Sequence, residues 1–312
     1  VALLGVALAG FAPAAQPPSA TRSVKPYLYV PRTEKSEGGA AGAAAVARSA
    51  GAITSAPRLV LEAGPPEASP RPVWADLKPI GWVQAVDASA LEQGRWEILE
   101  DGGAVWRLAL VTPGAAALRV HFTDFHLEAG HVRLYASDGK QADGPYFERG
   151  PLAGGDFWSR SIDGDMVVVE YSSPVPVTSL PFAIAGVGRL SETGAGVRPA
   201  AGEASRMKAE IEDVTAGCYL DYSCFEEWRE AGQSAVYIRF VQWPYIYQCT
   251  GVLVANSSGA PRPYLLTAHH CVSTEEAARS LEAVWFFESE SCGSPPSSRS
   301  SFLTTSGARL LV

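Results

Sequence analysis

His269 and His270 stand side by side at the end of the apolar run Tyr264–Ala268 and are followed at once by Cys271. An imidazole titrates near neutral pH, so a histidine held beside a hydroxyl is the commonest general base for activating a nucleophile. Its surroundings decide whether a ring is held. The stretch CTGVLVANSSGAPRPYLLTAHHC, Cys249 to Cys271, reads as a hairpin whose two strands are joined by a turn-rich loop from Asn256 to Pro263. A disulfide between the bracketing cysteines would tie the base of the first strand to the residue right after His270. Closing a loop of this size contributes roughly 3 kcal/mol in the chain-entropy model. Ser273-x-x-Glu276 then has the form of a capping box opening a short helix over EEAARSL. A strand end, a crosslink and a helix start would fix the backbone under the ring, as proton transfer requires.

The combination of Cys-Thr-Gly-Val-Leu-Val at 249–254 with Leu-Thr-Ala-His-His-Cys at 266–271 resembles the chymotrypsin-like serine endopeptidases, most closely the secreted bacterial lysyl endopeptidases. The resemblance implies hydrolysis of peptide bonds by a Ser-His-Asp triad after lysine, with protein or peptide substrates and no cofactor or metal. It gives the role of base to His270, the histidine directly before the cysteine, and not to His269. It also implies disulfides Cys249–Cys271 and Cys224–Cys292, leaving Cys218 to bond a cysteine in the second half of the protease. The triad further needs an Asp to orient the imidazole and a Ser to attack, in the order His, Asp, Ser. No Asp occurs after Asp221. CGSPPSSRSS, Cys292 to Ser301, holds serines but no Gly-x-Ser-Gly, and its two prolines mark a loop. The chain is therefore expected to be the first part of a longer precursor, inactive alone, with the acid, the nucleophile and the second barrel beyond Val312.

The elements that must position His270 follow from the texture of the whole chain. Its 312 residues are 47% apolar and 10% aromatic, enough for more than one core, and all five cysteines fall from Cys218 onward. The net charge is −8 and no Lys/Arg block tracks a phosphate backbone, which excludes nucleic acid as a partner. Residues 1–16, VALLGVALAGFAPAAQ, have the short apolar run and small-residue end of a secretory signal, without a charged start, so they are expected to be a partial signal peptide. The run is too short to span a bilayer, so a secreted protein with no membrane association is expected; the resemblance implies an extracellular bacterial protein, expected as a monomer.

Residues 17–76 are rich in Pro, Ala, Gly and Ser and are expected to be a flexible pro-segment. Residues 77–190 alternate with period two: RWEILEDGGAVWRLALV around an Asp-Gly-Gly turn, ALRVHFTDFHL, HVRLYASDGK, and DGDMVVVEYSSPVPV. Strands with a turn signal about every ten residues argue a β-sandwich; around GAVWRLALVTPGAAALRVHFTDFHL and GPYFERG the segment resembles the pro-region of that protease branch, which implies a pro-domain. Residues 191–210 form a linker in which Arg206 and Lys208 are candidate maturation sites. Residues 211–312 are expected to make the first β-barrel of a chymotrypsin-like double barrel, with strands in SAVYIRFVQ, IYQCTGVLVAN, PYLLTA and LEAVWFFES. The fold class is all-β.

His121, His126 and His131 recur every five residues and invite a metal reading, but an odd spacing alternates faces of a strand. Packed or solvated histidines are expected. Asn256-Ser257-Ser258 fits a glycosylation pattern and is read as a turn. The competing reading of the whole is a secreted binding protein whose sandwich recognises a surface or glycan and whose protease-like region is degenerate.

Overall fold

The computed structural model describes residues 53, 55–62, 64, 79–191, 222–255, 263–288, 291–292 and 302–311. The expected signal at 1–16, residues 17–52 of the pro-segment, the linker with Arg206 and Lys208, Cys218 and the Asn256 turn lie outside the described residues.

The described residues form sixteen strands. These are β1 (Arg58–Val60), β2 (Gly81–Ala85), β3 (Arg95–Ile98), β4 (Ala104–Val111), β5 (Ala117–Thr123), β6 (His131–Ala136), β7 (Ala142–Tyr146) and β8 (Phe157–Trp158). There follow β9 (Ile162–Asp163), β10 (Met166–Ser173), β11 (Ala183–Leu190), β12 (Ala235–Gln242), β13 (Tyr245–Val254), β14 (Tyr264–Leu266), β15 (Glu282–Trp285) and β16 (Leu303–Ser306). Two short helices, α1 (Arg229–Gly232) and α2 (Glu275–Arg279), accompany them. The protein is all-β in class.

One sheet runs β1-β4-β10-β6-β7, with β3 on β4. The β3–β4 hairpin turns at Asp101, whose carboxylate accepts from the Gly103 amide at 3.0 Å while Gly102 takes a φ of +86° that other residues resist. Alternate residues of β4 and β10, Leu108 opposite Val169 and Leu110 opposite Val167, point into a core shared with Leu118, Val120 and Phe122 of β5 on the facing sheet. Phe122 is fully buried among Phe125, Phe157 and Phe182 at centroid distances of 5.2–5.6 Å. The two sheets face each other across this one apolar layer, a sandwich-like arrangement of the described residues. Part of the segment expected to be flexible is docked on it: β1 pairs parallel with β4, and Ile53 and Ala56 cover Ala109 and Val168 on the outer face. Apolar residues at 53, 56 and 59 suffice for that, inside a composition that otherwise reads as a linker.

The second sheet spans both regions. It runs β16-β15-β12-β13-β2-β11-β5-β8, with β14 on β13 and β9 on β5, so strands of the sandwich and of the cysteine-rich region form one continuous sheet. The junction is β2 against β13, Trp82 opposite Tyr245 and Gly81 opposite Ile246. The Ile80 amide donates to the Ile246 carbonyl at 2.8 Å and the Val83 amide to Pro244 at 2.7 Å. Gly188 of β11 has no side chain because a Cβ there would stand 3.0 Å from Ile246 and 3.1 Å from Trp158. The ends of the sheet approach each other where Arg160, between β8 and β9, reaches the Thr304 carbonyl of β16 at 3.5 Å. A nearly closed, barrel-like sheet results. Among the described residues its strands come from both regions, β12 to β16 from the cysteine-rich part and β2, β5, β8, β9 and β11 from residues 79–191.

Inside this curl lies a group of buried charges. β5 sends Leu118, Val120 and Phe122 into the sandwich core and turns Ala117, Arg119 and His121 the other way, toward the cysteine-rich strands. Arg119, Arg239 of β12 and Glu282 of β15 are each no more than 1% exposed. Glu282 accepts from the Ser161 amide at 2.7 Å, from the Ser161 hydroxyl at 2.6 Å and from Arg239 at 3.2 Å. Burial alone would raise its carboxyl pKa, but the guanidinium charges of Arg119 and Arg239 and the Ser161 donors outweigh it and hold the group at about 2, against an ordinary 4.5. Stability drawn from a depressed acid is complete above the unfolded-state value and is lost as pH falls through the folded value. Unfolding titrations between pH 5 and 2 are therefore expected to show a steep loss of stability in the wild type. Glu282→Gln is expected to be less stable at pH 7 by about 3–5 kcal/mol, with the difference narrowing as the pH falls.

Candidate functional site

The His270 turn is built from the cysteine-rich region outward. Along β12, Val236, Ile238 and Phe240 face a second apolar core, opposite to the face that carries Arg239 and Val241. That core takes in Ala277 and Ala278 of α2, Ala283 and Trp285 of β15, and the pair Cys271 and Val272. Burying Cys271 and Val272 anchors the chain directly after the histidines. The Ala268 carbonyl accepts from the Cys271 amide at 2.9 Å and from the Val272 amide at 3.2 Å, which closes a tight turn around His269 and His270.

Three further ties hold this turn. Cys271 is bonded to Cys249 of β13, the pair that the resemblance implies, and Cys224 is bonded to Cys292. Thr267 donates its hydroxyl to the Thr250 carbonyl at 2.8 Å, extending the β13–β14 pairing in which Val252 lies opposite Leu266. The Gln242 side chain, at the end of β12, donates to the Cys271 carbonyl at 3.1 Å. The carboxamide spans from strand to turn; nothing in the local sequence around Gln242 marks it for that task.

The helix after the turn starts one residue later than the capping-box pattern predicts. Thr274 is the N-cap of α2 and its hydroxyl accepts from the Ala277 amide at 3.2 Å. Thr274 and Ser273 are both competent caps, and the turn at Cys271 sets which one meets the first free amides. Glu276, the expected partner in the box, lies in the first turn with Glu275, where negative charge suits the helix dipole.

Both histidines are exposed at the apex of the turn. Among the described residues no carboxylate hydrogen-bonds to either ring, and no serine hydroxyl does so. The ring of His270 does approach the Cys249 and Cys271 sulfurs, with ligand atoms within 4.8 Å of one another. Those sulfurs are spent in a disulfide and are not thiolates, so the donor set does not fit a metal. The arrangement can do one thing chemically: present an imidazole to solvent and to an incoming reactant on a backbone fixed from both sides.

The other three histidines are placed apart. His121 is within hydrogen-bond distance of Asp156 at 2.9 Å and stacks on Trp158 at 4.6 Å. His126 is exposed. His131 lies against Phe147, and burial, helped by Arg133, holds its pKa below the usual histidine value. Among the described residues no helix is long and apolar enough to cross a membrane.

The family described as lysyl endopeptidase, C-terminal domain, matches residues 213–312. A lysyl endopeptidase of Pseudomonas aeruginosa is 25% identical over 246 residues, covering 72% of this chain and 49% of its own length. The chain thus spans about half the length of that curated relative. No solved structure matches. The chain is related to the bacterial lysyl endopeptidases.

The cap assignment has a direct test in denaturant unfolding. Thr274→Ala is expected to cost about 1 kcal/mol, and Ser273→Ala less than about 0.5 kcal/mol. The reverse ranking would return the cap to Ser273.

Proposed function

We propose that the whole protein is a secreted serine endopeptidase, made as a precursor, in which His270 is the general base of a Ser-His-Asp triad and cleavage follows lysine. The observation that carries this reading is the His270 turn: an exposed imidazole on a backbone held by the disulfide Cys249–Cys271, by the buried Val272 and by the Gln242 carboxamide. The relation to lysyl endopeptidases supports the reaction class, and the lysine preference rests on the name of those relatives alone. In this reading the orienting Asp and the attacking Ser belong to the part of the relative's length that this chain does not span.

The chemistry assigned to His270 is proton transfer. Its imidazole takes the proton from the serine hydroxyl as the oxygen adds to the peptide carbonyl, then gives that proton to the departing amine, while the Asp fixes the tautomer. A misplaced ring forfeits much of this advantage, so rigid fixation of the turn is part of the function. His269, its neighbour, points from the same turn and has no role in the transfer.

Hydrolysis of lysyl peptides tests this. In the whole protein His270→Ala is expected to lower kcat by about 10⁴-fold or more, with His269→Ala changing it little. Undiminished turnover after His270→Ala would remove the role. The purified 312-residue chain is expected to show no hydrolysis. Hydrolysis by that chain, abolished by His270→Ala, would place all three groups of the triad within it and contradict the division proposed.

A further inference from the structure

The lysines of the chain are Lys25, Lys35, Lys78, Lys140 and Lys208, and residues 209–312 hold none. The long basic side chains of the region that bears His270 are all arginines, so a peptidase that cleaves after lysine has no bond to cut there. Among the described residues Lys140 is the one lysine, and it stands in the turn between β6 and β7. Its side chain is 85% exposed and meets the half-exposed carboxylate of Asp138 at 3.3 Å. Water screens a surface pair of this kind, which leaves the ammonium ready to enter a pocket.

The backbone around Lys140 is held by local bonds. The Gly139 amide donates to the Ala136 carbonyl and the Ala136 amide to the Gln141 carbonyl, both at 2.9 Å, while the Lys140 amide donates to Asp138 Oδ1 at 3.0 Å. Beyond the turn, β7 is the last strand of its sheet among the described residues and pairs there with β6, in a ladder whose register shifts between Val132 and Leu134. A peptidase must draw several residues around the scissile bond into an extended form, and an edge strand on an irregular ladder gives them up at least cost.

The residues after that bond close one end of the sandwich. The Gln141 carboxamide donates to the Ser161 carbonyl at 3.0 Å and accepts from the Asp163 amide at 2.7 Å, which ties the start of β7 to the β8–β9 connection. Asp143, two residues on, accepts from the Arg160 amide at 2.8 Å and from its Nε at 2.5 Å. Tyr146, at the end of β7, packs on Phe157 in the sandwich core with ring centroids 4.8 Å apart.

We infer that Lys140–Gln141 is the bond at which a lysyl peptidase dismantles the sandwich while leaving the region of His270 whole, a reading that rests on the proposed cleavage after lysine. Water adds across the amide: its oxygen joins the Lys140 carbonyl carbon and its two protons go to the Gln141 nitrogen, leaving a carboxylate and an ammonium. The covalent link between β6 and β7 is lost. Rebuilding the sandwich then requires two pieces to meet in place of one loop closing, which makes the cut a one-way step.

Native proteolysis of the purified 312-residue chain by an added lysyl endopeptidase, followed by intact-mass spectrometry, tests the inference. Within residues 79–190 one cut is expected, after Lys140, and Lys140→Arg is expected to abolish it. A bond that stays whole in the native chain, while the same chain in urea is cut there completely, would overturn the proposal. The treated wild type is expected to unfold at a midpoint lower by about 10 °C or more than Lys140→Arg treated alike, because cuts at the other lysines are common to both. Equal midpoints would overturn the dismantling. Gln141→Ala frees the start of β7 and is expected to speed the cut about threefold or more, with an unchanged rate counting against the part given to that carboxamide. The added enzyme does not depend on His270. A missing cut therefore overturns this inference and leaves the role of His270 standing, whereas failure of the whole protein to hydrolyse lysyl peptides overturns that role with the Lys140 cut still observed.

Discussion

The buried carboxylate of Glu282 constrains everything around it. A charge taken out of water must be neutralised and hydrogen-bonded, and the groups that do so come from three places in the chain: Ser161 from the β8–β9 connection, Arg239 from β12 and Arg119 from β5. Their convergence fixes how the long sheet curls. It brings β15 against the β8–β9 end of the sandwich, and the β2–β13 seam closes the other side. Apolar burial supplies most of the stabilisation, but it is tolerant of small shifts, whereas these donor positions are not.

From that arrangement the position of His270 follows by the alternation of a single strand. β12 turns Arg239 and Val241 toward the sandwich and Ile238 and Phe240 toward the second core. The second core holds Cys271 and Val272, and the disulfide to Cys249 ties the turn to β13, the neighbour of β12. The exposed imidazole is thus two layers removed from the buried charges, yet rests on the same strand. That separation puts a packed wall behind the imidazole and open space before it.

Much of this was legible in the sequence, and the limits have physical causes. The period-two segments of residues 77–190 and the apolar stretches SAVYIRFVQ, IYQCTGVLVAN and LEAVWFFES announce their strands, and the Cys249–Cys271 bracket announces the hairpin. The alternation of β5, however, reads as an apolar face and a solvated face, because Arg119 and His121 are polar. In the structure Arg119 is fully buried beside Arg239 and Glu282 of the cysteine-rich strands, and no local pattern encodes a cover supplied from residues more than a hundred positions away. The same blindness hid Glu282, which stands in an apolar run as an ordinary surface carboxylate would, and Gln242, whose partner is a backbone carbonyl. β1 was missed because three apolar residues were lost in an Ala/Gly-rich context. Ser273 and Thr274 were interchangeable as caps on composition, and the turn before them made the choice.

The central claim is that His270, held by the turn at Ala268–Cys271, is the base of a peptidase triad in the whole protein. Affinity alkylation tests it most directly, because a lysyl chloromethyl ketone, once bound as a substrate, alkylates the triad imidazole at its nucleophile-facing nitrogen. Incubation of the whole protein with this reagent followed by peptide mass spectrometry should find one label, on His270, with activity lost in proportion. A label on His269, or full activity loss with neither histidine modified, would contradict the account.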